Sequence, residues 1–485
     1  MMDVLRLPID KLAELSMQNL LHYKTLERAS VSSLYNTKWA EVGINVKEIT
    51  TYEDFAKLPY TTSKEVRSAI YEQPINKILC SKPVHWFSTT GTTGLSKWLP
   101  YGRRDVELFI QIRDRLYGML PTVDTLRFVT VTAPPPYLED GLAILNSIRG
   151  IENNNPIQNI TISLTQTDDD EIFNFTFDTK PNVMLAFPSL AARLAEIVEE
   201  TAPKVVKQQF CEHKSPKNLL LYLITRVKKI HPKDLTTFKW GLFGGEPLDP
   251  YRDVLTRVYG LEPYELYAFT EFMPPSVECR MHNGMHIWLD ICLPEIIPES
   301  ELEKEHSDST YMPKAIPLWK ATAGQRGEFV LTTFGEALPL IRYRFGDLIQ
   351  VVSTEPCGCG YTHPRIKVPR RADISVISLG AIRFPFKQLE EKALSQTTHG
   401  QAKRWQLQIS REGHRPKLTI RLEPNVEISS HECFVKEIAQ RVLEIDVIKT
   451  GLENKILAEP KVAVEALLGR GKQATVAGSV IYEGE

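Results

Sequence analysis

The chain has 485 residues, 42% of them apolar and 24% charged, with a formal net charge of −2. That length exceeds one ordinary domain, and the composition supports a sizeable core beneath a charged surface. So balanced a charge gives no electrostatic case for nucleic acid or an anionic membrane as partner, and no run approaches the roughly 18 uninterrupted apolar residues of a membrane helix. The opening Met1-Met2-Asp3-Val4-Leu5-Arg6 lacks a basic region followed by an apolar run, so no signal peptide is expected. Seven cysteines, odd in number and thinly spread, point to reduced thiols in a cytoplasm rather than a disulfide framework.

Residues 8–42 carry a helix-like pattern through Leu12, Leu15, Leu20 and Leu21. The apolar run Val84-His85-Trp86-Phe87 reads as a strand, and Ser88-Thr89-Thr90-Gly91-Thr92-Thr93-Gly94 follows it, with Lys97 three residues on. Glycines allow a tight turn and close approach to a ligand, while hydroxyls and bare amides donate to phosphate oxygens. The loop is not a Walker loop, because Leu95 and Ser96 separate Gly94 from Lys97. A plain surface turn is the alternative reading.

Further along, 128–132 and 183–187 read as buried strands, the second leading into a helix through Leu190, Leu194 and Ile197 with Ser189 as its N-cap. Short apolar strands alternating with helices predict an α/β architecture with mainly parallel sheets. From about residue 327 the character changes, and 328–333 and 348–352 read as strands of a small β unit. Pro369-Arg370-Arg371-Ala372-Asp373 is the expected boundary, giving domains 1–370 and 371–485. Strands at 405–410 and 417–422 and helices near 385–396 and 431–443 fit a compact α+β C-terminal domain.

Four further segments carry chemistry. Trp240-Gly241-Leu242-Phe243-Gly244-Gly245-Glu246-Pro247 ends an apolar strand in a double glycine, the end at which ligands gather in parallel sheets. Tyr267-Ala268-Phe269-Thr270-Glu271 offers an aromatic face, a hydroxyl and a carboxylate suited to Mg2+. Leu338-Pro339-Leu340-Ile341-Arg342-Tyr343-Arg344-Phe345-Gly346-Asp347-Leu348 ends in a carboxylate able to accept from two adjacent hydroxyls. Arg371-Ala372-Asp373 precedes Gly380-Ala381-Ile382-Arg383-Phe384-Pro385; a basic linker is its bland reading.

In this order the segments resemble the motifs of the acyl-adenylating (AMP-forming) enzyme superfamily. Tyr101-Gly102-Arg103-Arg104-Asp105 and the long Leu338–Leu348 run resemble, more narrowly, its phenylacetate–coenzyme A ligase branch. Ser96, Ala268, Phe345, Arg370 and Ile374 depart from the family pattern. The resemblance implies ATP, Mg2+ and coenzyme A, a carboxylic and by analogy aryl acid, and a mobile C-terminal domain. It makes Ser88–Gly94 a phosphate loop assisted by Lys97, and Gly244, Gly245, Glu246 and Pro247 an adenine turn. By the same resemblance Tyr267 would stack on the base, Thr270 meet a phosphate oxygen, Glu271 hold Mg2+, Asp347 take the ribose hydroxyls and Arg371 contact the nucleotide. Asp373 is the hinge, and Lys472 in Gly471-Lys472 the late catalytic lysine, with Lys455 and Lys461 as competitors.

Cys357-Gly358-Cys359-Gly360 resembles a Cys-x-Cys-Gly element of the same branch. Cys279 and His286 complete a possible structural zinc site, with His282 the alternative to His286 and unliganded thiols the bland reading. An acceptor other than coenzyme A, or a nucleotide-binding homologue without turnover, are the rival functions. The acid and the oligomeric state are not legible.

Overall fold

The computed structural model describes residues 3–88, 95–121, 127–132, 158–163, 171, 180–212, 214–371, 376–394, 397–399, 402–424, 430–464 and 479–482. The chain forms two compact units. One holds residues 1–123, 143–147 and 264–373, the other 124–142, 148–263 and 374–485.

The first unit is built on an antiparallel run. Its strands lie in the order Ile316–Pro317, Cys292–Pro298, Arg326–Thr333, Tyr343–Ser353, Arg365–Arg371, Met285–Ile287, Phe272–Glu278 and Glu262–Phe269. The strands expected to form a small β unit are continuous with this run. Thr61–Thr62 adds to Tyr343–Ser353 in parallel. Ile297, Phe329, Val330, Leu331, Ile349 and Ile366 are fully buried and make its core. The expected helical stretch at 8–42 is three helices, Ile9–His22, Thr25–Ala29 and Asn36–Glu41. Lys24, with φ of +52°, breaks the first from the second, because a left-handed residue cannot continue a right-handed helix.

The second unit carries the expected α/β pattern. Strands Gln158–Ser163, Arg127–Thr132, Val183–Ala186 and Trp240–Gly244 lie side by side in parallel. Val183-Met184-Leu185-Ala186 is fully buried along its length, which is why it reads as an unbroken apolar run rather than an alternating one. The following helix spans Pro188–Glu212. Ser189 is therefore inside its first turn rather than its cap, because Pro188, with φ already fixed and no N–H to satisfy, takes the first helical position.

In the same unit Ala402–Glu412 and Arg415–Pro424 form a hairpin closed through Gly413, with Lys461–Val464 and Ser479–Tyr482 flanking it in parallel. Helix His431–Leu443 starts as expected, capped by the Ser430 hydroxyl, which accepts from the Cys433 N–H at 3.3 Å. The helix near 385–396 is shorter, Phe386–Lys392. Among the described residues no helix is long and apolar enough to cross a membrane.

Candidate active site

In the first unit three of the sequence motifs meet. Lys97 is 5% exposed, and its ammonium pairs with the Glu271 carboxylate while donating to Ser63 Oγ and Tyr343 Oη, each at 2.9 Å. Tyr343 in turn donates to Glu271 Oε1 at 3.1 Å. Burial opposes both charges, yet each outweighs it for the other. Lys97 is pushed up to about 12, with Tyr343 assisting, and Glu271 is held below the usual carboxylate range.

Two further contacts extend the same line. Phe269 and Phe345 touch with ring centroids 3.9 Å apart, and Tyr267 Oη donates to Asp347 Oδ2 at 2.6 Å. Tyr267, Phe269 and Glu271 thus meet Asp347, Phe345 and Tyr343 in reverse order, three rungs between two segments remote in the chain. Phe345, a departure from the family's threonine, is the middle rung, and Phe329 and Tyr343 pack on the same ring. Arg371 pairs across the strands with Asp347, so two expected nucleotide contacts are backbone neighbours.

The Tyr101–Asp105 segment fastens these motifs together. Tyr101 Oη donates to the Thr270 carbonyl at 2.8 Å. Asp105 accepts from the N–H groups of Gly102 at 2.8 Å and of Glu336 and Ala337 at 3.2 Å. A Cβ at Gly335 would lie 1.8 Å from Asp105 Oδ1, so that glycine lets the two segments close. Ser88 ends strand His85–Ser88, paired with Trp98. Thr89, Thr90, Gly91, Thr92, Thr93 and Gly94 lie outside the described residues, as do Asp373 and Lys472.

Tyr343 and Ser63 are site residues that sequence reasoning missed. Tyr343 sits in the quoted motif, two positions from Phe345 and four from Asp347, a strand spacing that carries the signal. Ser63 opens helix Ser63–Glu72 behind a Thr62/Glu65 capping box and had no signal of its own.

In the second unit, strand Trp240–Gly244 delivers the double glycine. Gly245 has φ of +84°, and a Cβ there would lie 1.9 Å from the Phe187 ring. Glu246 turns inward, accepting from the Ser189 N–H at 2.8 Å and from Tyr251 Oη at 3.1 Å, and burial pushes its carboxyl up. Pro247 is exposed. The Val376–Pro385 hairpin packs on this turn, since Ser189 Oγ accepts from the Ala381 N–H at 3.0 Å and Arg383 donates to the Gly245 carbonyl at 2.9 Å. Lys455 pairs with Glu200 at 2.7 Å, while Lys461 is exposed at the start of an edge strand.

The four cysteine and histidine residues expected as zinc ligands are together. The ligand atoms of Cys279, His286, Cys357 and Cys359 all lie within 4.8 Å of one another, with Cys279 and Cys357 sulfurs 3.8 Å apart and Cys359 Sγ 3.4 Å from His286 Nε2. Ligands at about 2.0–2.3 Å from one tetrahedral ion stand roughly 3.3–3.8 Å apart, and those two separations match it. His286 Nδ1 lies 3.1 Å from the His363 carbonyl and donates to it, which aims the Nε2 lone pair at the cluster. Gly360, at φ of +96°, lets the Cys357–Cys359 turn close. His282 faces Glu278 at 3.2 Å instead. Burial pushes the Cys279 thiol up to about 12 and the His286 imidazole down to about 4.

No family model matches the chain. It is 24% identical over 441 residues to a phenylacetate–coenzyme A ligase of Pseudomonas putida, covering 89% of this chain and 85% of that protein. It is 32% identical over 189 residues to the enzyme of the same name from Escherichia coli strain K12, spanning 38% of each. Among solved structures, a 2-hydroxyisobutyryl-CoA ligase complexed with an acyl-adenylate and coenzyme A superposes with a TM-score of 0.65 at 20% identity, covering 99% of this chain and 92% of that one. The fold is that of the acyl-adenylating ligases. Within that class the chain is similar, along most of its length, to the phenylacetate–coenzyme A ligases.

Proposed function

We propose that this chain is an AMP-forming acid–coenzyme A ligase that converts a carboxylic acid, ATP and coenzyme A into an acyl thioester, AMP and pyrophosphate. The observation that carries the reading is the three-rung convergence of Tyr267, Phe269 and Glu271 on Asp347, Phe345 and Tyr343. It sets a ribose-type acceptor, an aromatic wall and a buried charged end in one line, as an adenylate requires.

In the first half-reaction the acid's carboxylate oxygen bonds to the α-phosphorus of ATP and the bond to pyrophosphate breaks. Catalysis there is orientation plus charge neutralisation. Asp347 accepts the ribose hydroxyls, and the Ser88–Gly94 loop and Lys97 hold the phosphates. Glu271, once released from its pair with Lys97, would hold Mg2+, which would supply further neutralisation. Lys472 contributes the late positive charge. In the second half-reaction the thiol attacks the acyl carbon and AMP leaves. Two steps at one carbon need different groups, which is the argument for a C-terminal domain from residue 371 that turns about Asp373. Cys279, His286, Cys357 and Cys359 would hold a structural zinc ion, which would tie residues 356–362 to the 279–286 turn without a part in the chemistry. A thiol cluster of this kind supports a reducing, cytoplasmic location.

The test is formation of AMP and thioester from a panel of aryl and aliphatic acids. Thioester from one acid class supports the reading, and AMP formed only with an amine acceptor replaces it. Lys472→Ala should abolish adenylation while sparing thioester formation from supplied acyl-adenylate, and Asp373→Pro should do the reverse. Normal adenylation in the first, or an intact second half-reaction in the second, removes that residue from its role.

A further inference from the structure

An ammonium group has three N–H donors. Those of Lys97 meet Glu271, Tyr343 and Ser63, and Glu271 and Lys97 are both buried, so the two charges neutralise each other inside the first unit. In this arrangement Lys97 offers no donor to a phosphate and Glu271 no bare charge to a metal. Both roles assigned to the site therefore require the pair to part. Parting it without replacement leaves a buried charge unpaired, which is strongly unfavourable.

We propose that Lys97 is the resident counter-ion of Glu271, and that a divalent cation arriving with nucleotide phosphate takes its place. The exchange keeps every charge paired: the cation takes the carboxylate, and Lys97, still protonated, swings to the phosphate oxygens it is released to meet. Tyr343 and Ser63 accept from Lys97 before the exchange and stay within reach of the incoming cation's oxygen shell. The site then binds metal and nucleotide together far more tightly than either alone. This rests on the ligase reading for the nucleotide, but the exchange itself is testable without turnover.

The experiment is Mn2+ binding to the full chain, read as loss of the free-ion EPR signal, with and without α,β-methylene-ATP. Wild type should bind Mn2+ weakly alone and much more tightly with the analogue. Lys97→Met should raise nucleotide-free Mn2+ affinity by at least about tenfold, because the buried carboxylate now lacks its cation. Adding Glu271→Gln to that variant should remove the gain. A Lys97→Met protein that is folded by circular dichroism yet binds Mn2+ no better than wild type overturns the proposal, as does a gain that survives Glu271→Gln. Should Lys97→Met not fold, Glu271→Gln alone decides: Lys97 is then released without metal, and analogue affinity should become nearly independent of Mn2+. Retained metal dependence there overturns it. If the analogue fails to bind in any protein while the Lys97→Met gain appears, Lys97 stands as the counter-ion of Glu271, but its exchange for a nucleotide-borne cation is overturned and the ligase reading falls with it.

Discussion

Glu271 is held in its charged form by Lys97 against the pull of burial, and this has a pH signature. A carboxyl whose folded pKa is depressed contributes stability above its ordinary value near 4.5, lost as pH falls through the lower folded value. Lys97 is the mirror case, its contribution intact below 10.5 and lost as pH rises through about 12. Glu271→Gln should therefore lower the melting temperature at pH 7, and the gap to wild type should narrow as pH drops below about 4.5. A gap that does not change with pH would mean that Glu271 is not ionised in the folded protein. The charged pair was legible as two separate residues, Lys97 and Glu271, each given a ligand. That they hold each other was not, because nothing in either motif encodes a contact between residues 174 positions apart. Tyr343, by contrast, stood in plain view in its motif and was passed over for Asp347.

At the scale of elements, the segment entering strand Tyr343–Ser353 is fixed by Arg342, which is 2% exposed and has φ of +46°. Its guanidinium meets both oxygens of the fully buried Glu295, at 3.0 and 3.1 Å, and donates to the Leu58 carbonyl at 2.7 Å. That clamp holds residues 56–61 against the strand start, and so brings Ser63 and Tyr343 to the same lysine. Arg342→Met should cost about 3–5 kcal/mol in urea unfolding, since it leaves Glu295 buried and unpaired. The double change with Glu295→Gln should recover part of the loss; no recovery would show that the pairing itself is not what Arg342 supplies. Around this clamp, strand Arg326–Thr333 and the later half of Tyr343–Ser353 were readable from their apolar runs, whereas Cys292–Pro298 and the antiparallel sense of all three were not. Long-range order in the first unit is set by such buried polar contacts, which leave no periodicity in the sequence. In the second unit Val183–Ala186 and Trp240–Gly244, each leading on to a helix, were easier to read.

Across the whole molecule, the motif order carried the class, and the resemblance picked out the cysteines that meet, with His286 preferred to His282 because its ring, unlike the other, faces the sulfurs. Purified protein should contain about one zinc per chain, and Cys359→Ser should lose it and melt earlier, because structural zinc contributes folding energy directly. Zinc-free protein with unchanged melting would argue for plain buried thiols. The central claim is adenylation, and acid-dependent exchange of labelled pyrophosphate into ATP tests it most directly. Exchange with one class of acid, abolished in Asp347→Ala, is the predicted result. Silence across aryl and aliphatic acids, in protein that still binds ATP, would contradict it and leave a nucleotide-binding homologue without turnover.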